Sequence, residues 1–526
     1  MSDLDSLVKQ YKFNALSRRG FIKGAGALGV AAPAASSILT MAGPAHAATP
    51  KRGGVLRIAE GNTADTLEPV RMVSTTDAIY ANQVYSRLTR FKADLTVEGD
   101  LAESWDVDST ATVWTFKLRK AKFHNGQDVT ADDVKASFAL HTAENSESAA
   151  KAILSGVKSV EVVDKLTIRF TLESGNADMP ITVSDYHLSV HPAGQTDFGA
   201  GAIGSGPFRI AEFRPGEVMY FERFDEYFLD GQPYLDGMEF IPVPDSTANL
   251  NAILSGDVDM IHDIAPAAYN KMSQAPGINV YNIPTGSFAN FVLMCDRAPT
   301  NDINFRKGFK HSLNRELVLN QAYSGIGTIS NDTPIGPTYR YYSAEVKPLE
   351  YDLDKAKHYF KKAGVSSMEI FTSEEAGSAA NDVAYTYQQG AQGALDVTVT
   401  KTPADGYWSH TWMQQPICMS GWNARPTVDA FLTIAHMDGG GWNETVWGSP
   451  EYDAKIIAAR AELDEAKRAE MYHDLLSQLN EEGGFVNPVF SNALEATSER
   501  VKGFEPHSVG AMGGFFNCSH KVWLDS

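Results

Sequence analysis

Most of the side chains able to do chemistry fail the spacing tests that catalysis sets. His187 and His191 stand four residues apart, a spacing that lets two imidazoles share a metal on a helix. Pro192 follows at once, however, and YHLSVHP reads as strand or loop, so two partly exposed histidines are expected there. The carboxylate pairs Asp132-Asp133 and Asp257/Asp259 fall where helix caps and turns belong. No HExxH, GxSxG, CxxC or Walker A pattern occurs. The two carboxylates of a glycosidase can come from anywhere in a chain, but nothing positive points to that class. Residues 419–431, MSGWNARPTVDAF, are different in kind. They place a large ring (Trp422), an amide (Asn423), a guanidinium (Arg425) and a carboxylate (Asp429) within eight positions. Small-molecule sites are built from such aromatic walls and a few polar groups. Plainer readings stand beside this one: Trp422 as core packing, and Arg425 as an internal ion pair with Asp429 or Glu444.

Elements able to position these residues are legible along the chain. Val113–Leu118 alternates large apolar side chains with smaller or polar ones, the period of a half-buried strand. Asn125-Gly126 suits a tight reversal. Thr130 is expected to cap a helix from Ala131, with Asp133 at its third position. Helical spacing runs over 79–88. A helix is expected over 250–255, stopped by Gly256, and another from an Asp352 cap to Ala363-Gly364. Residues 452–478 read as one long, charged amphipathic helical region. Such mixing of helices and strands indicates an α/β protein.

The first 47 residues read as a targeting segment. Ser17-Arg18-Arg19-Gly20-Phe21-Ile22-Lys23 resembles the twin-arginine export motif, an apolar stretch follows over 24–42, and Ala45-His46-Ala47 offers a cleavage site. An uncleaved membrane anchor is the alternative. GxGxxG over 24–29 has no strand before it and is a false dinucleotide fingerprint. Removal of 1–47 takes away five basic and two acidic residues, which shifts the formal charge from −20 to −23 and leaves 479 residues. So acidic a chain is a poor partner for nucleic acid or anionic lipid. Three cysteines, Cys295, Cys418 and Cys518, allow at most one internal disulfide, and a fold independent of disulfides is expected.

Residues 101–140 contain LAESW, then WTFKLR, then FHNG, then TADDV before a helix. This order resembles the signature of the periplasmic solute-binding proteins of ABC importers of the dipeptide/oligopeptide/nickel type. GSGPF at 204–208, LNAILSGDVDM at 250–260 and DINFRKGFKHSLNREL at 302–317 are similar to further blocks of that family, so the resemblance runs over nearly the whole chain after residue 50. It implies an α/β, two-lobed periplasmic-binding-protein fold with two crossing hinge strands, near 286–290 and 484–490. Lobe I would comprise 48–287 plus 488–526, with an inserted subdomain at about 77–203, and lobe II 288–487. It further implies a monomeric binding protein rather than an enzyme, exported to the periplasm without a cofactor or metal. Such a protein captures a small peptide or opine-like polar solute by lobe closure and passes it to an inner-membrane ABC permease. The competing reading is a periplasmic hydrolase of peptide or sugar conjugates.

The same resemblance assigns residues to the cleft. Gly421-Trp422 matches the family's cleft motif, and Asn423 and Asp429 belong to the same segment. Arg425 stands where dipeptide binders carry an acid, which fits a ligand with a carboxylate or phosphate and is closer to the opine/agrocinopine branch. Phe288 and Asn290, past the first crossing, are expected to supply a wall and an amide. Trp442 and Asn443, after a glycine-rich loop, are expected to close over the ligand.

Overall fold

A computed structural model describes residues 49–525 except 62, 63, 65, 73, 149, 215, 216, 244, 439 and 441. Residues 1–47, read above as a targeting segment, lie outside the described residues, as do Asn62 and Thr63. Gly53–Ser526 forms one compact unit.

Ile278–Leu293 is a sixteen-residue strand that serves two half-sheets. Its first part pairs antiparallel with Val489–Ser498, from Ile278 opposite Ser498 to Pro284 opposite Asn492. The register then shifts between Pro284 and Phe288. Pro284 has no N–H for the ladder, and a Cβ on Gly286 would lie 2.5 Å from the Tyr339 ring, so the chain bends where only a bare backbone fits. Beyond the bend, Phe288–Leu293 pairs with Ile417–Trp422. The two strands thus cross between half-sheets near 284–288 and 488–492. Among the described residues they sit inside one twelve-stranded sheet. On one side of them run Met260–Ile261, Val55–Glu60, Gly237–Pro242, Val218–Arg223 and Phe208–Arg214, and on the other Ile417–Trp422, Ser367–Thr372 and Asp396–Lys401.

Each half carries its own core. Ile58, Phe221, Phe240 and Met260 pack with Tyr80 of helix Thr75–Val84 and with Phe516 and Val522 near the C-terminus. Phe291, Ile370 and Met419 pack with Phe309 of Ile303–Ser312, Phe360 of Leu353–Ala363 and Tyr387 of Ala380–Gly390. Between the two runs of the first half lies an antiparallel sheet in the order Ala102–Val107, Val113–Leu118, Thr167–Leu172, Val157–Asp164. Trp114, Phe116 and Leu118 face inward in strict alternation, as their spacing predicts, and close a third core with Phe138 and Phe170.

Local capping follows the sequence. The Asp133 carboxylate accepts the Thr130 N–H at 2.8 Å and its hydroxyl at 2.7 Å at the start of Ala131–Thr142. Gly256 (φ 81°) ends Ser246–Ser255, and Gly364 (φ 70°) ends Leu353–Ala363. Three expectations are corrected. The helix expected over 79–88 spans Thr75–Val84, because Ser74 and Asp77 form a reciprocal cap earlier in the chain. The region 452–478 is two helices, Pro450–Ala461 and Glu465–Glu482, since Asp464 caps a new start by accepting the Lys467 N–H. His187 and His191 are buried, not partly exposed: His187 lies between Asp185 and the Met72 carbonyl, while His191 packs edge-on against Phe198.

Candidate functional site

Ile417–Trp422 delivers Trp422 to the edge of the second half-sheet, directly opposite Phe288. The indole is buried against Phe431, with ring centroids 4.7 Å apart. Its Nε1–H donates to Glu444 Oε1 at 3.1 Å. Glu444 also accepts from Asn290 Nδ2 at 2.8 Å and from Trp412 Nε1 at 3.0 Å. Burial pushes the Glu444 carboxyl up, and these donors oppose the shift. Glu444 therefore fixes the ring the sequence singled out. The sequence offered it only as a partner for Arg425, and no local signal marks it as the hub of three distant donors.

After Trp422 the chain turns. Ala424 N donates to Ser287 Oγ at 3.1 Å and Arg425 N to the Tyr339 hydroxyl at 3.0 Å. The Arg425 guanidinium then lies over two rings, 5.5 Å from Trp422 and 5.4 Å from Trp442. It is half-buried, its Nε is shielded and unbonded, and no ion pair to a carboxylate forms among the described residues. Burial lowers its pKa from the ordinary arginine value. Both internal partners considered for it are taken. Asp429 accepts Arg460 Nε at 2.9 and 3.0 Å, and Glu444 holds the amide and indoles described above.

Segment 421–427 separates two cavities. One, of 320 Å³, is lined by Phe288, Tyr323, Glu375, Ser378, Trp422 and Asn423. The other, of 460 Å³, lies between segment 425–434 and segment 153–185 of the first half; its charged lining is Asp178, Asp185, Arg425, Asp429 and Arg460. Trp422, Asn423 and Phe288 thus reach the first cavity, and Arg425 and Asp429 the second. Trp442 is 44% exposed and stacks edge-on against Trp422 at 5.6 Å. Two expectations need correction. Asn290 is fully buried and offers its amide to Glu444 rather than to a cavity. Asn443 turns into its own loop, donating to the Met437 and Trp447 carbonyls at 3.2 and 3.1 Å. Among residues the sequence did not single out, Asp185 is the notable one, hidden next to a histidine pair that drew attention to itself.

All three cysteines are free, and among the described residues no group of three or more His, Cys, Asp or Glu is arranged to hold a metal ion. No described helix is long and apolar enough to cross a membrane.

Residues 96–444 match the family of bacterial extracellular solute-binding proteins, family 5. The chain belongs to this family. It is a two-lobed solute-binding protein serving ABC import. The glutathione-binding protein of Pectobacterium atrosepticum is 23% identical over 469 residues, covering 85% of this chain and 90% of that protein. Heme-binding protein A of Haemophilus influenzae is 25% identical over 479 residues, covering 81% and 84%. The structure of the PBP AgaA from Agrobacterium tumefaciens R10 in complex with agropinic acid superposes with a TM-score of 0.75 at 21% identity, over 90% of this chain and 99% of that one. Solutes so unlike one another show that membership in the family leaves the cargo open.

Proposed function

We propose that this family 5 protein captures a small peptide or opine-like polar solute bearing a carboxylate or phosphate, and that Arg425 holds that group. The observation that carries the reading is a guanidinium on the wall of a 460 Å³ cavity, braced by two indoles and without a carboxylate partner among the described residues. Such a fork binds carboxylate or phosphate through two parallel N–H bonds. Relatives named for glutathione and agropinic acid agree with a peptide or opine class. Lobe I is taken as 48–287 plus 488–526, with the subdomain at about 77–203 inserted, and lobe II as 288–487. The ligand binds one lobe, then bridges both, and favours closure by its difference in affinity for the two states. The closed monomer docks on an inner-membrane permease after twin-arginine export to the periplasm. A hydrolase would find no pair of free carboxylates among the acids lining this cavity: Asp178 and Asp429 are each tied to an arginine, which leaves Asp185 alone.

The test begins with mass spectrometry of solute retained by the exported protein. Calorimetry with that solute should then show Arg425→Ala weakening binding at least tenfold, about 1.4 kcal/mol. Unchanged affinity removes Arg425 from the site. X-ray scattering should show compaction on saturation, and an identical envelope argues against closure.

A further inference from the structure

The charged groups around the 460 Å³ cavity do not all remain available. Asp429 is closed on Arg460, and Asp178 on Arg468 through a two-pronged pair at 2.6 and 2.7 Å. Two groups are left over, one of each sign and on opposite walls: Arg425 from the second half, and Asp185 from the segment before Tyr186–Leu188 in the first. No ion pair joins them directly.

Asp185 has a structural duty, but it occupies only one oxygen. Oδ1 accepts the His187 N–H at 3.0 Å, capping the short turn, and His187 Nδ1 at 2.6 Å. Oδ2 accepts no hydrogen bond among the described residues, and the side chain is 24% exposed. The other ring nitrogen of His187 meets the Met72 carbonyl at 3.0 Å. Both ring partners only accept, so both nitrogens donate and the ring is an imidazolium. Burial would raise the Asp185 carboxyl, yet the His187 bond and charge, with Arg87 nearby, hold it below the usual range. Asp185, which lines the cavity, is therefore an ionised carboxylate held through one oxygen, with the other left without a hydrogen bond among the described residues.

We infer that Asp185 is the second anchor of the cleft, binding an ammonium or guanidinium group of the ligand, so that the solute is a zwitterion held by Arg425 at its anionic end. The inference rests on the reading of Arg425 above and adds the opposite wall. A ligand with both charges satisfies the two leftover groups at once and ties the walls together. An anion lacking a cationic group leaves the Asp185 oxygen desolvated and unpaired, which costs binding.

The test uses thermal shift and calorimetry on the exported protein with small solutes in four charge classes: neutral, anionic, cationic and zwitterionic. The strongest stabilisers should be zwitterions, and N-acetylation of the best one should weaken it at least tenfold. Asp185→Asn keeps the capping oxygen and removes the charge. It should melt, ligand-free, within a few degrees of the wild type, bind the zwitterion at least tenfold more weakly, and bind the N-acetyl form within threefold of the wild type. Absence of any stabilising zwitterion overturns the inference, as does an anion binding as tightly as its amine-bearing counterpart. If Asp185→Asn is silent while Arg425→Ala still weakens binding, the second anchor falls and the first stands. If Arg425→Ala is silent, the parent reading fails instead.

Discussion

Breaking the Asp178–Arg468 pair should destabilise this protein more than any surface substitution. The partners are 290 positions apart, one on the segment that precedes Met179–Thr182 and the other on helix Glu465–Glu482. Their side chains are only 6% and 3% exposed, and the contact is doubled, Nη1 to Oδ1 and Nη2 to Oδ2. The guanidinium also lies 5.2 Å from the Tyr341 ring and 5.4 Å from that of Tyr472, and its Nε donates to the Ala459 carbonyl at 3.0 Å. Removing one partner strands a buried charge, so Asp178→Leu or Arg468→Met alone should cost about 3–5 kcal/mol. The double variant removes both desolvated charges and should lose no more than about 2 kcal/mol, so the coupling energy, the double loss minus the two single losses, is about 4–8 kcal/mol in magnitude. Urea unfolding followed by tryptophan emission at pH 7 measures all four corners of the cycle. Because the pair is shielded from solvent, salt at about 0.5 M should leave the coupling nearly unchanged. Single variants that lose less than about 1 kcal/mol, or a double variant that is additive within about 0.5 kcal/mol, would refute the reasoning.

Two further predictions concern buried carboxylates. Glu444→Gln retains one oxygen for three donors, so one indole or amide N–H loses its acceptor; a loss of about 1–3 kcal/mol is expected. A lowered melting temperature and a shifted tryptophan emission would register it, and an unmoved emission spectrum would contradict the shared anchoring of Trp412 and Trp422. Burial raises the Glu495 carboxyl to about 7, with the Met512 N–H only partly opposing the shift. The folded chain thus holds a proton that the unfolded chain releases near pH 4.5, so this contribution is full below about 4.5 and is lost as pH rises through about 7. Glu495→Gln should match the wild type near pH 4.5 and exceed it by roughly 3 kcal/mol at pH 8. Unfolding curves at the two pH values decide it, and a gap independent of pH counts against the shift.

Local physics was legible in the residues themselves. The alternation of Val113–Leu118, the Thr130–Asp133 cap, and the glycines that end Ser246–Ser255 and Leu353–Ala363 each depend on neighbours within a few positions. The blocks from LAESW to TADDV likewise carried the family, because they build a self-contained sheet and helix with their own core. Partnership across the fold was not legible. Nothing near Asp429 announces Arg460, thirty-one positions on, and nothing near Asn290 announces Glu444, more than a hundred and fifty away. A charge or amide is committed by whatever the folded chain brings within about 3 Å, and the same residue type serves a cavity or a core accordingly. The amino-acid sequence alone therefore determined the scaffold and offered Trp422 and Arg425. Only the tertiary structure withdrew Asn290 and Asn443, left Arg425 without an acid, and set Asp185 on the wall facing it.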